Sequence, residues 1–378
     1  MSAAFMFGVS ALLHLYIGVR LAAALPAPWH WIVVAWLAVE ALLVPMGMLA
    51  WRYLRGIRAE RVAVAGLFAM GFFSSLLVAT FLRDVLLIGI GLVSTFTPMV
   101  FAFSHIERVT AVAVPCIAFA ITVVGLWNAR RIARVVDVDV PIEGLPRELE
   151  GFTIAQISDV HVGPTIRRNY VEGIVEAVNA LDADVIAITG DLVDGSVPQL
   201  RDHVAPLANL RARHGRYFVT GNHEYYSGAL PWIEELRRLG ISVLNNEHVV
   251  IEGAQGKLVI AGVPDYSAGL FHESHASNPA SALAGAPADA HAKILLAHQP
   301  RTAAAAALAG FDLQLSGHTH GGQFWPWVHF VRLQQPFTAG LHRTGHLWVY
   351  VSRGTGYWGP PKRFGAPSEI TRLRLKAA

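Results

Sequence analysis

Four stretches, near residues 5–25, 31–51, 62–82 and 109–127, are almost uninterruptedly apolar. A helix needs about 20 such residues to cross the hydrocarbon core of a bilayer, and four in succession leave little room for a water-soluble alternative. Residues 138–378 instead mix polar and apolar side chains as an ordinary globular domain does. The chain of 378 residues therefore divides into an all-α transmembrane domain of about four helices, 1–137, and a second domain, 138–378. Trp29, Trp31, Trp51 and Trp127 lie at the ends of the apolar stretches, where interfacial aromatics collect. The first stretch is too long for a signal-peptide core and leads into further spans, so it is expected to be retained as an anchor.

Arginine placement sets the expected topology. Residues 1–137 hold ten Arg against five acidic residues, whereas 138–378 hold twenty basic against twenty-two acidic. The positive excess thus sits beside the membrane, where it orients spans, and not on a nucleic-acid-binding face; no nucleic-acid partner is expected. Arg52, Arg55, Arg58 and Arg61 follow the second span, and Arg130, Arg131 and Arg134 follow the fourth. Two intervening spans put both clusters on one side. The expectation is an integral protein of the inner (plasma) membrane with its termini and second domain in the cytoplasm. Residues 85–103 are also apolar enough to cross, but Arg83-Asp84 leaves almost no turn before them, so an interfacial or re-entrant segment is expected there. Arg20 and Glu40 fall inside spans, where they are expected to snorkel or to pair across the first hairpin. The single cysteine, Cys116, permits no intrachain disulfide and no cysteine-based zinc site.

The second domain reads as short apolar strands separated by helices. Strands are expected at 153–158, 184–189, 217–220, 257–262, 294–297, 312–316, 347–352 and 369–375, with helices near 170–181, 231–239 and 301–309. This alternation argues for an α/β layered domain. Residues 274–292 lack periodicity and are expected to be a surface loop. Five of the strand-like runs end in residues suited to metal: Asp159-x-His161, Gly190-Asp191, Gly221-Asn222-His223-Glu224, His298, and Gly317-His318-Thr319-His320. Asp-x-His or Gly-Asp alone is ordinary turn chemistry. Gly-His-Thr-His-Gly-Gly is more specific, because two imidazoles two residues apart in a tight loop can reach neighbouring ions. The strand C-terminal ends are also where such sheets place ligands.

On these motifs and their order the chain resembles the calcineurin-like metallophosphoesterases over roughly residues 150–373. The resemblance implies a β-sandwich flanked by helices and a site for two divalent metal ions. It implies that Asp159, His161 and His320 hold one ion, that Asn222, His298 and His318 hold the other, and that Asp191 bridges them. Oxygen and imidazole donors without thiolate leave Mn, Fe and Zn all compatible. The resemblance makes His223 the substrate-contacting general acid. Glu224, where the family commonly has Asp, is expected to orient a ligand imidazole. The implied activity is hydrolysis of a phosphodiester, phosphomonoester or pyrophosphate by a metal-activated hydroxide, on a phosphate-ester substrate that is lipid-linked or nucleotide-linked. Some family members cleave a UDP-linked acylated glucosamine, which makes a lipid-precursor pyrophosphatase the narrower alternative. A catalytically silent membrane scaffold is the alternative of another class, and the complete ligand set counts against it. The aromatic run Phe324–Phe330 and Arg353 are further candidates for substrate contact.

Overall fold

The computed structural model describes residues 2–96, 103–253 and 256–378. It divides into two compact units, Met1–Trp127 with Gly359–Lys362, and Asn128–Trp358 with Arg363–Ala378.

The first unit is built from α1 (Ala3–Leu21), α2 (Trp29–Tyr53), α3 (Gly56–Phe96) and α4 (Phe103–Arg130). All four are long and apolar enough to cross a membrane. On α1, Ser10, His14, Ile17 and Leu21 are buried, a spacing that forms one helical stripe. Phe5, Leu12, Leu15 and Val19 point outward, leaving an apolar surface suited to lipid. Helices α2 and α3 meet at glycines: a Cβ on Gly47 would lie 2.5 Å from Gly66 Cα. Small residues permit such close backbone approach between apolar helices.

Helix α3 runs unbroken for 41 residues, roughly 60 Å at the α-helical rise. Arg83-Asp84 therefore lies within a helix and not at a turn. The segment expected to be interfacial or re-entrant continues α3 as far as Phe96, and residues 97–102 lie outside the described residues. The physical reason is that no Gly or Pro interrupts 72–88 and both charges find partners. Asp84 accepts from Tyr16 Oη at 2.8 Å and from Arg20 Nε at 2.9 Å, while Arg83 donates to Thr110 Oγ1 and the Glu107 carbonyl at 3.0 Å. Arg20 thus pairs with Asp84 instead of Glu40. Glu40 faces His14, with Oε2 3.8 Å from Nε2.

In chain order the second unit contains β1 (Arg134–Ile142), β2 (Thr153–Ile157), α5 (Arg168–Asn179), β3 (Val185–Ile188), α6 (Val197–Val204), β4 (Arg216–Phe218), α7 (Asn222–Ser227), α8 (Ala229–Arg238), β5 (Ser242–Val243), β6 (Glu247–Gly253), β7 (Gly256–Gly262), α9 (Pro279–Ala282), β8 (Ala292–Leu296), α10 (Ala303–Ala309), β9 (Leu313–Ser316), α11 (Val328–Val331), β10 (Gly340–Thr344), β11 (Leu347–Val351) and β12 (Glu369–Ala377). The strands form two six-stranded sheets, ordered β1-β12-β2-β3-β4-β5 and β10-β11-β9-β8-β7-β6.

Alternation along each strand sorts side chains into layers. Ile154, Val185, Tyr217, Ile260, Ile294, Leu313 and Leu373 share the core between the sheets. The opposite face of the first sheet (Ile157, Ile186, Ile188, Phe218) packs on Val171, Ile174 and Val178 of α5 and on Trp232 and Leu236 of α8. The outer face of the second sheet packs on Ala303 and Ala306 of α10. The result is a β-sandwich between helical layers, the architecture that the resemblance implied. Residues 274–292, expected to be a surface loop, contain α9 and bury His275 and Ala282. Small alanine side chains pack there without any periodicity to reveal it.

Strands β2, β3 and β4 are mutually parallel, as are β8 and β9. Their C-terminal ends therefore deliver five loops to one edge of the sandwich.

Candidate metal centre

Those five loops carry all seven ligand candidates. Asp159 and His161 follow β2, Asp191 follows β3, Asn222 opens α7 after β4, His298 follows β8, and His318 and His320 follow β9. Five of the seven, Asp159, His161, Asp191, His318 and His320, have φ between 50° and 70°. Non-glycine residues in this left-handed region cost of order 1–3 kcal/mol each and cluster at functional sites. The neighbouring glycines are required by close approach. A Cβ on Gly221 would stand 2.2 Å from Asp191 Oδ1, and one on Gly317 would stand 2.1 Å from Asp159 Oδ2.

The side chains converge in two groups, Asp159–His161–His320 and Asp191–His298–His318, each with its ligand atoms within 4.8 Å of one another. In the first, His161 Nε2 lies 3.1 Å from His320 Nε2, which is 3.4 Å from Asp159 Oδ1. In the second, His298 Nε2 lies 3.0 Å from Asp191 Oδ2 and 3.2 Å from His318 Nδ1. The same Asp191 Oδ2 is 3.9 Å from His161 Nε2, so one carboxylate oxygen faces both groups. His298 Nδ1 donates to the Thr189 carbonyl at 2.7 Å, which points Nε2 into the cluster.

A cation fits this set on two observations. Asn222 Oδ1 is buried and has no hydrogen-bond partner, a vacancy in bonding that costs about 1–3 kcal/mol if nothing fills it. The donors are carboxylate, amide oxygen and imidazole, a set that accommodates Mn²⁺, Fe²⁺ or Zn²⁺. The electrostatics are divided: burial opposes charge on His298, yet Asp191 and Asp159 hold it well above its usual value, and burial raises Asp159. Burial, assisted by His298, lowers His318 to about 3, and burial with His161 holds His320 well below its usual value. Both imidazoles are therefore neutral and keep lone pairs. Burial opposes charge on Asp191, yet the His298 imidazole holds its carboxyl well below the usual range.

His223 stands at the edge of the centre, partly buried. Its backbone N–H donates to Asp191 Oδ1 at 2.9 Å, and its Nδ1 meets Asp194 Oδ1 at 2.6 Å. Burial opposes its protonation, but the hydrogen bond to Asp194 and the nearby carboxylates push it up to about 9. Asp194 also meets His161 Nδ1 at 3.0 Å. This residue was not among the sequence candidates, although an acid three positions after Asp191 was the available signal. Trp232 Nε1 donates to the Gly195 carbonyl at 2.8 Å, pinning the Asp194 loop to the buried core.

Glu224 corrects the expectation placed on it. Its carboxylate touches no imidazole; it accepts the backbone N–H groups of Asp191, Leu192 and Gly221 at 3.0, 2.8 and 2.6 Å. At the N-terminus of α7 it reaches back to those amides more readily than to a ring, and so ties two ligand loops together. Asp194 does the imidazole-orienting instead. Arg353 is also committed elsewhere, to Glu369 at 2.9 Å. Around His223 the rim is aromatic, with Tyr226 and Trp358 ring centroids at 5.2 and 5.7 Å. Trp325, Trp327 and Phe330 are exposed, while Phe324 is buried.

Residues 152–322 match the calcineurin-like phosphoesterase family. The chain is 41% identical over 270 residues to the transmembrane protein with metallophosphoesterase domain of Danio rerio, covering 69% of this chain and 62% of that protein. It is 43% identical over 279 residues to the Bos taurus protein of the same name, covering 70% of this chain and 63% of that one. Over 245 residues it is 34% identical to an uncharacterized metallophosphoesterase of Aquifex aeolicus, covering 64% of this chain and 92% of that protein. It thus spans a little under two thirds of the vertebrate relatives.

Proposed function

Because the chain belongs to the calcineurin-like phosphoesterase family, we propose that it is a membrane-anchored, metal-dependent phosphoesterase acting on a phosphodiester, phosphomonoester or pyrophosphate bond. One observation carries this reading: six ligand side chains converge in two groups, with Asp191 Oδ2 facing both, while Asn222 Oδ1 is buried without a hydrogen-bond partner among the described residues. Asp159, His161 and His320 would hold one ion, and Asn222, His298 and His318 the other, with Asp191 between them. Two such ions, when bound, supply Lewis-acid stabilisation of phosphoryl oxygens and a nucleophile at neutral pH.

The chain's own residues supply the rest. His223, kept protonated by Asp194, is placed to donate a proton from Nε2 to the departing oxygen, a role suited to an imidazole with a raised pKa. Asp194 orients the rings of both His161 and His223, and Glu224 holds the Asp191 and Gly221 amides in place. Tyr226 and Trp358 flank the leaving-group side, which favours a substrate whose leaving group carries an apolar or aromatic portion. That rim is the observation favouring a lipid-linked or nucleotide-linked ester, the lipid-precursor pyrophosphate among them.

For topology, we place residues 1–137 as the anchor and 138–378 as the enzyme domain. The arginines at 52–61 and 130–134 then share the cytoplasmic face of the inner (plasma) membrane.

The test uses the full-length protein in detergent, stripped of metal and then given Mn²⁺, Zn²⁺ or Fe²⁺, with phosphodiester and phosphomonoester hydrolysis as the readout. Turnover restored by metal and abolished in Asp191→Ala is the expected result. Failure to bind any metal would overturn the reading in favour of a silent scaffold.

A further inference from the structure

Just beyond α4 the second unit contains a cavity of about 220 Å³ whose wall includes Asn128, Arg131, Arg134, Arg363 and Ser368. Three of its nine lining residues are arginines and none is acidic. Among the described residues, none of these three guanidinium groups has a carboxylate within salt-bridge distance. Just after β11 and on β12, by contrast, Arg353, Arg372 and Arg374 each meet a carboxylate at 2.6–2.9 Å.

Arg363 differs from the other two in being held by the fold. It is fully buried, and its guanidinium is held by carbonyls: Nε donates to Gly356 at 3.0 Å, and the terminal nitrogens donate to His320 at 2.9 Å and Arg353 at 2.7 Å. These carbonyls and His320 Nδ1, 3.2 Å from a terminal nitrogen, satisfy its N–H groups, while Asp159 and Glu369 favour its charge against burial, so Arg363 is a fixed wall of the cavity. Arg131 and Arg134 are exposed, so nothing in the fold requires them to line a cavity. Asn128 supplies an amide there, one N–H of which donates to the Arg363 carbonyl at 3.2 Å.

We infer that this cavity binds a phosphate group, supplied by the headgroup of an anionic phospholipid. Planar guanidinium forks match phosphate oxygens better than a point charge does. The volume is below the roughly 300–1,000 Å³ of pockets that enclose drug-sized molecules, and suits a headgroup whose acyl chains stay outside. The lipid source follows from position in the chain: Arg131 and Arg134 lie within four residues of Arg130, the end of a helix able to cross a membrane. Basic residues beside a span attract anionic headgroups. The inference goes beyond the hydrolytic reading and does not rest on it.

The experiment compares the wild-type full-length chain with the R131Q/R134Q double variant and with R52Q/R55Q, a charge-matched control beside another span. Each is purified from nanodiscs of phosphatidylcholine containing phosphatidylglycerol, and retained phosphatidylglycerol is counted by native mass spectrometry. In a second arm, metal-stripped protein in phosphatidylcholine alone is titrated with radiolabelled inorganic phosphate. Wild type and R52Q/R55Q should retain phosphatidylglycerol, with retention in R131Q/R134Q lower by about tenfold. All three should keep the same melting temperature, because the substituted side chains are exposed. If R131Q/R134Q loses binding of inorganic phosphate but not of lipid, the anion site stands and its lipid source is wrong. Equal retention in all three, with no phosphate bound, overturns the site.

Discussion

Both units of this protein bury ionisable side chains, but they position them by different means. In the helical unit, His14, Glu40, Arg20 and Asp84 ride on regular helical backbone, and their meeting depends only on how helices pack. One of the two pairs is loose: His14 Nε2 and Glu40 Oε2 stand 3.8 Å apart, and neither atom has a hydrogen-bond partner among the described residues. In the second unit, most ligand candidates sit on left-handed backbone at strand ends and are braced from behind by Asp194, Glu224 and the Thr189 carbonyl. Placing six donors in two adjoining groups goes with local strain and a second layer of hydrogen bonds. The helical pairs also have hydrogen-bonded neighbours, Ser10 and Tyr16, but none of the four residues has left-handed backbone.

The comparison can be broken most decisively at Asp191. Asp191→Ala removes the one oxygen that faces both ligand groups, so metal content measured by elemental analysis should fall and hydrolysis should drop on the order of 10⁴-fold or more. Glu40→Gln in the helical unit should leave both within about twofold, since that pair is far simpler in its bracing. A comparable loss from both substitutions would mean that the helical pair is part of the catalytic machinery.

A pair of glycine variants sharpens the same contrast. Gly221→Ala drives a methyl to 2.2 Å from Asp191 Oδ1, and Gly47→Ala drives one to 2.5 Å from Gly66 Cα. Each should lower stability by about 1–3 kcal/mol, as overpacking does. Only Gly221→Ala should also weaken metal affinity, measured by chelator competition, because only there is the displaced atom a ligand.

His223 tests the bracing layer. His223→Ala should keep both metals and lower kcat by about 10²–10⁴-fold. Asp194→Asn should act on its pH dependence: the Asp194 carboxylate raises His223, so its removal lets the imidazole deprotonate at lower pH. The alkaline limb of the kcat profile should therefore move down. An unmoved limb with unchanged metal content would remove His223 from the role of general acid.

The same contrast explains what was legible in the sequence. Apolar runs announce helices of membrane length, and Asp159, His161, Asn222 and His318 stand out because rare donors follow short strands. Asp194 did not stand out, since one acid in Gly-Asp-Leu-Val-Asp looks like surface. Glu224 was visible but its partners were not, because backbone amides leave no trace in a sequence. Strand β1 was not among the expected strands, because Asp137 and Asp139 interrupt its apolar run. Arg20 and Asp84 are 64 residues apart, so only the packing of α1 against α3 could pair them.

The smallest effect is expected where charges meet at the surface, at Asp137 and Arg372 on neighbouring strands β1 and β12, 2.6 Å apart. The hydrogen bond to Arg372 lowers the Asp137 pKa. A depressed carboxylate stabilises the fold above its unfolded pKa, and that contribution is lost as pH falls through the folded value. The side chain is 42% exposed, so solvent screens most of the interaction, and Asp137→Asn should cost only about 0–1 kcal/mol at neutral pH. The loss should shrink further in high salt. Strand β1 has a stronger hold, through its parallel register with β12 from Arg134 to Ile142 and the burial of Val140 and Ile142 between the sheets. Denaturant titrations of Asp137→Asn and Val140→Ala should separate the two contributions, with the valine worth several times the ion pair. An equal cost would mean that charge, and not the apolar face, fixes this strand to the sheet.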